Sequence, residues 1–103
     1  MQEYEIALPA GTDLAGAGPR IEAACHAAGL HITLRGTLAA YPGCVHWHLQ
    51  CADQPGTLEL TLWPAGPRLW CKIAAGRAAT WMPATVADLQ AALPAALSVK
   101  QEV

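Results

Sequence analysis

The residues whose types and spacing could do chemistry lie in one short segment, residues 44–51, which reads CVHWHLQC. Cysteine thiolates and histidine imidazoles are ligands that zinc and copper ions prefer in proteins. If this segment is a β-strand, successive side chains point to opposite faces of a sheet. Cys44, His46 and His48 then share one face, and the apolar residues between them share the other. The sequence therefore predicts a half-buried strand whose polar face carries metal-ligating side chains.

Two histidines one residue apart on a strand resemble the zinc-binding strand of the carbonic anhydrases, in which a third histidine comes from the next strand. In this chain the resemblance implies a zinc site formed by His46 and His48, with Cys44 or Glu59 as the third ligand. Imidazole and thiolate ligands also suit copper.

The same segment does not predict a catalytic site. Alternate residues on a strand lie about 6.5–7 Å apart, too far for direct proton transfer between Cys44 and His46. We therefore predict no catalytic residue.

Length and composition indicate a single α+β domain over residues 1–103. A chain of 103 residues fits one core, and 53% hydrophobic against 14% charged residues excludes a disordered chain. The four cysteines form no C-x-x-C pair, which excludes a zinc knuckle and a thioredoxin-type motif. We expect four free thiols, at Cys25, Cys44, Cys51 and Cys71.

Charge and hydropathy limit the classes of partner. A net charge of −2 with six Lys and Arg makes nucleic acid an unlikely partner, because nucleic-acid binders carry a basic footprint. No apolar run is long enough to cross a bilayer, and the first residues lack the pattern of a signal peptide. We therefore expect a cytoplasmic protein. The abundance of Ala, Gly, Pro and Arg without Asn is typical of a GC-rich bacterial genome.

Alternating apolar and polar residues predict five strands, a short one near residues 4–8 and four more near 31–38, 44–51, 57–63 and 68–73. Turn residues separate the last four strands at positions 41–43, 53–56 and 64–67. Such short connections favour antiparallel neighbours. The predicted sheet is therefore mostly an antiparallel meander.

Two helices complete the predicted fold. The first begins at Pro19, or near Thr12 with a kink at Pro19, and ends before Gly29. The second runs from about Trp81 or Pro83 to Leu93, and Pro94 ends or kinks it. Because two modest helices can cover only one sheet face, the order β-α-β-β-β-β-α predicts a two-layer sandwich with one open face.

The open face can be mapped because directly opposed residues of antiparallel strands share a face. The register implied by the turns pairs residues across neighbouring strands. In this register Glu59 lies between His48 and Lys72, Thr61 between His46 and Trp70, and Trp63 between Cys44 and Arg68. The same pairing sets Arg35 beside His46 and Thr33 beside His48. The predicted binding residues of the open face are thus Arg35, His46, His48, Glu59, Trp63, Arg68, Trp70 and Lys72.

This open face is the predicted functional surface. Trp and Arg are enriched where proteins meet partners, and such a patch would be unusual to leave in water. We therefore favour a non-catalytic binding or assembly domain that forms a homodimer or holds a protein partner. The alternative is a metal- or small-ligand-binding protein that uses Cys44, His46 and His48 with Glu59. Arg77, near the junction of the last strand and the last helix, is a candidate anion contact.

Overall fold

The computed structural model describes residues 1–98, in the predicted order of five strands and two helices. The elements are β1 (Gln2–Glu5), α1 (Gly18–Ala27), β2 (Leu30–Gly36), β3 (Val45–Cys51), β4 (Leu58–Trp63), β5 (Arg68–Ile73) and α2 (Met82–Ser98). One antiparallel sheet has the strand order β1-β5-β4-β3-β2. The meander of β2 to β5 and the α+β class are confirmed, and β1 forms the edge beside β5.

The first helix begins at Gly18, with Pro19 in its first turn. A proline costs no hydrogen bond there, because the first N–H groups of a helix have no partner within it. At the other end Gly29 adopts a φ of +83°, the left-handed conformation that favours glycine after a helix. Of the two predicted starts, the one at Pro19 is therefore confirmed.

The second helix continues through Pro94 to Ser98, so the predicted end at Leu93 is wrong. Proline removes one backbone hydrogen bond from a helix, but here the apolar stripe extends past it. Leu97 is buried one turn beyond Leu93, and burial of an apolar face contributes most of a helix's stability in a protein. Neither this helix nor any other within residues 1–98 has the length and apolarity to cross a membrane.

The core lies between the two helices and one face of the sheet. Trp47, Leu60 and Cys71, from the three central strands, are each no more than 1% exposed. They belong to a single buried cluster with Ile21 of α1 and Leu89 of α2. Both helices therefore cover the same face of the sheet, as the sequence predicts.

A β-bulge in β2 changes the face on which its later residues lie. Ile32 pairs with Leu49, but the register shifts before Leu34, which pairs with His48. Because a bulge inserts one extra residue, it reverses the alternation of side chains beyond it. Arg35 consequently pairs with Trp47 on the helix-covered side. The predicted place of Arg35 beside His46 is therefore wrong. Leu34 replaces Thr33 as the residue paired with His48, although the Thr33 hydroxyl still donates a 3.3 Å hydrogen bond to His48 O.

Candidate metal centre

Two neighbouring strands bring three potential metal ligands together on the open face. In the register of β3 and β4, His46 pairs with Thr61 and His48 pairs with Glu59. On the other side of β4, Glu59 pairs with Lys72. These are the pairs that the sequence predicts, because period-two alternation and short turns together determine the register.

The ligand atoms of His46, His48 and Glu59 all lie within 4.8 Å of one another. His46 Nε2 is 3.3 Å from Glu59 Oε1. In a tetrahedral zinc site, with bonds of about 2.0–2.2 Å, neighbouring ligand atoms lie about 3.3–3.5 Å apart. His46 and Glu59 are thus already spaced as two ligands of one ion would be, and a ligand atom of His48 lies within 4.8 Å of both.

The hydroxyl group of Thr61 orients the imidazole ring of His46. The imidazole Nδ1 lies 2.8 Å from the Thr61 hydroxyl oxygen, and both residues are buried, at 5% and 2% exposure. A hydroxyl can either donate or accept a hydrogen bond, so it can accept from Nδ1–H. That tautomer leaves the Nε2 lone pair directed toward Glu59, where a metal ion needs it. Partners of this kind orient metal-binding histidines and tune their affinity.

The surroundings of His46 favour its neutral form. Burial lowers the pKa of His46 below its ordinary value, and the electrostatic influence of the neighbouring His48 and Lys72 lowers it further. The Glu59 carboxylate opposes this shift, but desolvation is the larger effect. Because only a neutral imidazole can bind a metal ion, the lowered pKa keeps His46 ready to act as a ligand.

Two basic residues are neighbours of Glu59 in the fold. Lys72 lies opposite Glu59 on the neighbouring strand, and Arg77 Nη1 is 3.9 Å from Glu59 Oε2. The backbone of Arg77 is held by two hydrogen bonds, from its own N–H to Ala74 O at 3.1 Å and from Thr57 N–H to its carbonyl at 3.3 Å. The turn after β5 therefore presents Arg77 to the same end of β4 as Glu59.

Cys44 is not a member of the cluster. It is buried, just before β3 begins, and its sulfur accepts a hydrogen bond of 3.2 Å from Leu38 N–H. Of the two candidate third ligands, Cys44 and Glu59, the structure brings only Glu59 together with His46 and His48.

The aromatic part of the open face is covered by the chain itself. Tyr41, in the loop between β2 and β3, makes edge contacts with Trp63 and Trp70 at ring-centroid distances of 5.1 and 4.9 Å. The indole N–H of Trp63 donates a 3.1 Å hydrogen bond to Pro42 O. Trp70 is only 2% exposed as a result. The expectation that these two indoles form an exposed contact surface is therefore wrong for Trp70, and Trp63 is half-buried.

The guanidinium group of Arg68 packs over the indole ring of Trp70. Its guanidinium lies 4.0 Å from the centroid of the indole ring, a cation–π arrangement. The same group is ion-paired with Glu5 and, at 3.0 Å, with Glu3, both on β1. The guanidinium of Arg68 is therefore engaged in contacts within the protein, and its ion pairs link β1 to β5.

Of the predicted binding residues, His46, His48, Glu59 and Lys72 therefore lie together in one group. Trp63, Arg68 and Trp70 form a separate, internally packed group beside it, and Arg35 lies on the opposite face. The sequence analysis did not predict the hydrogen bond between Thr61 and His46, although the predicted register, which places Thr61 opposite His46, could have indicated it. No protein-family model, curated protein or solved structure matches this chain.

Proposed function

We propose that this protein binds a divalent transition-metal ion through His46 Nε2, His48 and a carboxylate oxygen of Glu59. The observation that carries the proposal is the convergence of these ligand atoms within 4.8 Å. His46 is buried, whereas His48 and Glu59 are half-buried, so an ion from solution could reach the ligand atoms. The hydrogen bond between His46 and Thr61 adds the orientation that a metal ligand requires.

The ligand types select among metals. Two imidazoles and one carboxylate form a common zinc set, in which three protein ligands leave a fourth position open. Imidazole nitrogen also binds copper(II) strongly. Zinc is the ion we assign first, because the 3.3 Å spacing of His46 Nε2 and Glu59 Oε1 matches a tetrahedral edge, with copper as the second choice.

The decisive experiment is elemental analysis of protein purified without a metal-affinity tag, followed by calorimetric titration of the metal-free protein with Zn²⁺. We expect one equivalent of bound zinc. His48→Gln and Glu59→Gln should each weaken zinc binding by about tenfold or more, because each removes one of three ligands. His48 is the better first variant, since it is only half-buried and its loss should disturb the fold less.

The chain supplies a matched control, because its other two histidines, His26 and His31, lie outside the cluster. A double variant with His26→Gln and His31→Gln keeps the same number of histidines as the double variant with His46→Gln and His48→Gln. Zinc binding should survive in the first and be lost in the second. Equal loss in both variants, or no stoichiometric zinc in the wild type, would show that the cluster is not a metal site.

A second candidate function is assembly through the uncovered part of the open face. The observation that favours it is Leu34, which is 44% exposed on the edge strand β2, opposite His48. Edge strands with exposed apolar residues can pair with a second chain. If a homodimer or protein partner uses this edge, Leu34→Lys should shift the sedimentation coefficient toward the monomer, whereas Ala87→Lys on the exposed side of α2 should not.

A further inference from the structure

We infer that a metal ion in this cluster takes a small oxyanion as its fourth ligand, held by Lys72 and Arg77. This inference rests on the proposed function, and it names the ligand class of the same site. Three protein ligands leave one tetrahedral position for a molecule from solution. The chemistry around that position then decides which molecule is favoured.

The charges at the site favour an anion. Once a divalent ion is bound, the single Glu59 carboxylate faces that ion together with Lys72 and Arg77. The second sheet neighbour of Lys72 is Glu3, but its carboxylate is paired with Arg68 at 3.0 Å. The site therefore keeps an excess of positive charge, and an anionic ligand would relieve the repulsion between the metal ion and the two cations.

The geometry of Arg77 also suits an exogenous ligand. Its 3.9 Å separation from Glu59 Oε2 exceeds the length of a hydrogen bond, so Glu59 attracts the guanidinium without fixing it. The side chain is about half exposed, at 48%, while its backbone is held by the turn that follows β5. A half-exposed guanidinium on an anchored backbone is well placed to bind an oxyanion through two oxygens.

A bound anion would also explain why two cationic side chains lie beside a proposed metal site. Lys72 and Arg77 weaken the attraction of Glu59 for a metal ion, so their presence opposes simple metal storage. Their removal should consequently strengthen metal binding and weaken anion binding. A merely structural role for the two side chains would not produce these opposite effects.

The test uses the Co²⁺-loaded full chain, because the visible absorption of cobalt reports its ligands directly. Cobalt stoichiometry is measured first, and the loaded protein is then titrated with acetate and, separately, with methyl phosphate. We expect a saturable spectral change with at least one of them. The double variant with Lys72→Gln and Arg77→Gln should bind that anion about tenfold more weakly and bind cobalt more tightly. Arg35→Gln, which removes a positive charge from the opposite face, should leave anion binding unchanged.

The outcomes separate the two proposals. If no cobalt binds, the metal site itself is refuted. If cobalt binds but neither anion alters its spectrum, or the double variant binds the anion as tightly as the wild type, the oxyanion inference alone is overturned. A response to acetate only would assign a carboxylate ligand, and a stronger response to methyl phosphate would assign a phosphate ester.

Discussion

Arg35 and Glu22 hold each other through two parallel hydrogen bonds, of 2.6 Å from Nε and 2.5 Å from Nη2. The indole N–H of Trp47 donates a third bond, of 2.9 Å, to the same carboxylate. Glu22 thus joins α1 to β2 and β3 at once. The pair also gives a physical reason for the bulge in β2, since only the reversed alternation turns Arg35 toward the helix.

The first prediction concerns acid stability. The hydrogen bonds from Arg35 lower the pKa of Glu22, and the bond from Trp47 adds to the effect while burial opposes it. Since the folded pKa lies below the unfolded value, this stabilisation is complete above pH 4.5 and is lost as the pH falls through the folded pKa. Urea unfolding at pH 7 and pH 3 should show that Arg35→Gln destabilises the protein at pH 7 and does so less at pH 3.

Asp88→Asn is the control for this measurement, because Asp88 is exposed on α2 and should leave the difference between the two pH values unchanged. If Arg35→Gln destabilised the protein equally at both pH values, the ion pair with Glu22 would not be the source of the effect.

The second prediction concerns the core beneath the sheet. Leu60, on β4, is fully buried between the sheet and the helices, so Leu60→Ala should lower the free energy of unfolding by about 2–5 kcal/mol. Leu34→Ala removes the same atoms from a site that is 44% exposed and should cost far less. Chemical denaturation of both variants measures the difference, and similar losses would contradict the assignment of the two leucines to opposite faces.

The third prediction isolates the partner of His46. Thr61→Val keeps the shape of the side chain but removes the hydroxyl that lies 2.8 Å from His46 Nδ1. Loss of such a partner lowers metal affinity by about 10–100-fold, whereas Thr61→Ser retains the hydroxyl and should bind zinc nearly as the wild type does. Calorimetric titration with Zn²⁺ distinguishes them. Unchanged affinity in Thr61→Val would mean that the hydroxyl does not orient the ligand.

The fourth prediction concerns the thiols. Cys25, Cys44, Cys51 and Cys71 are free. Burial raises the pKa of Cys25 and of Cys71 to about 12, so both remain protonated and unreactive at pH 8. Cys51 is only half-buried and should react first with a thiol reagent in the native protein. All four should react under denaturation, and a lower count would contradict the absence of disulfide bonds.

The central strands were predictable because two independent signals agree in them. The alternation of Leu58, Leu60 and Leu62 with polar residues predicts which face is buried, and the short turns on both sides favour the observed register over one slipped by two residues, which would bury the same leucines. That register alone brings His48 opposite Glu59. The pair of strands that carries the candidate metal site was therefore predictable, although the proposed set of three ligands was not, because the position of Cys44 depends on a loop.

The features that the sequence did not reveal depend on tertiary contacts. The bulge before Leu34 breaks a regular alternation, and it is stabilised by the distant Glu22 carboxylate. The path of the loop that carries Tyr41 follows from its packing on Trp63 and Trp70. Helical structure through Pro94 likewise depends on burial of Leu97. Local propensity and periodicity carry no information about such contacts.

The last prediction concerns the loop that covers the aromatic part of the open face. Tyr41 contacts both Trp63 and Trp70, and Trp70 is 2% exposed beneath it. Tyr41→Ala should therefore expose Trp70, shift the tryptophan emission to longer wavelength and increase its quenching by acrylamide. The other tyrosine supplies the control: Tyr4→Ala, on the edge strand β1, should leave emission and quenching close to wild type. An unchanged spectrum in Tyr41→Ala would show that Trp70 is shielded by something other than this loop.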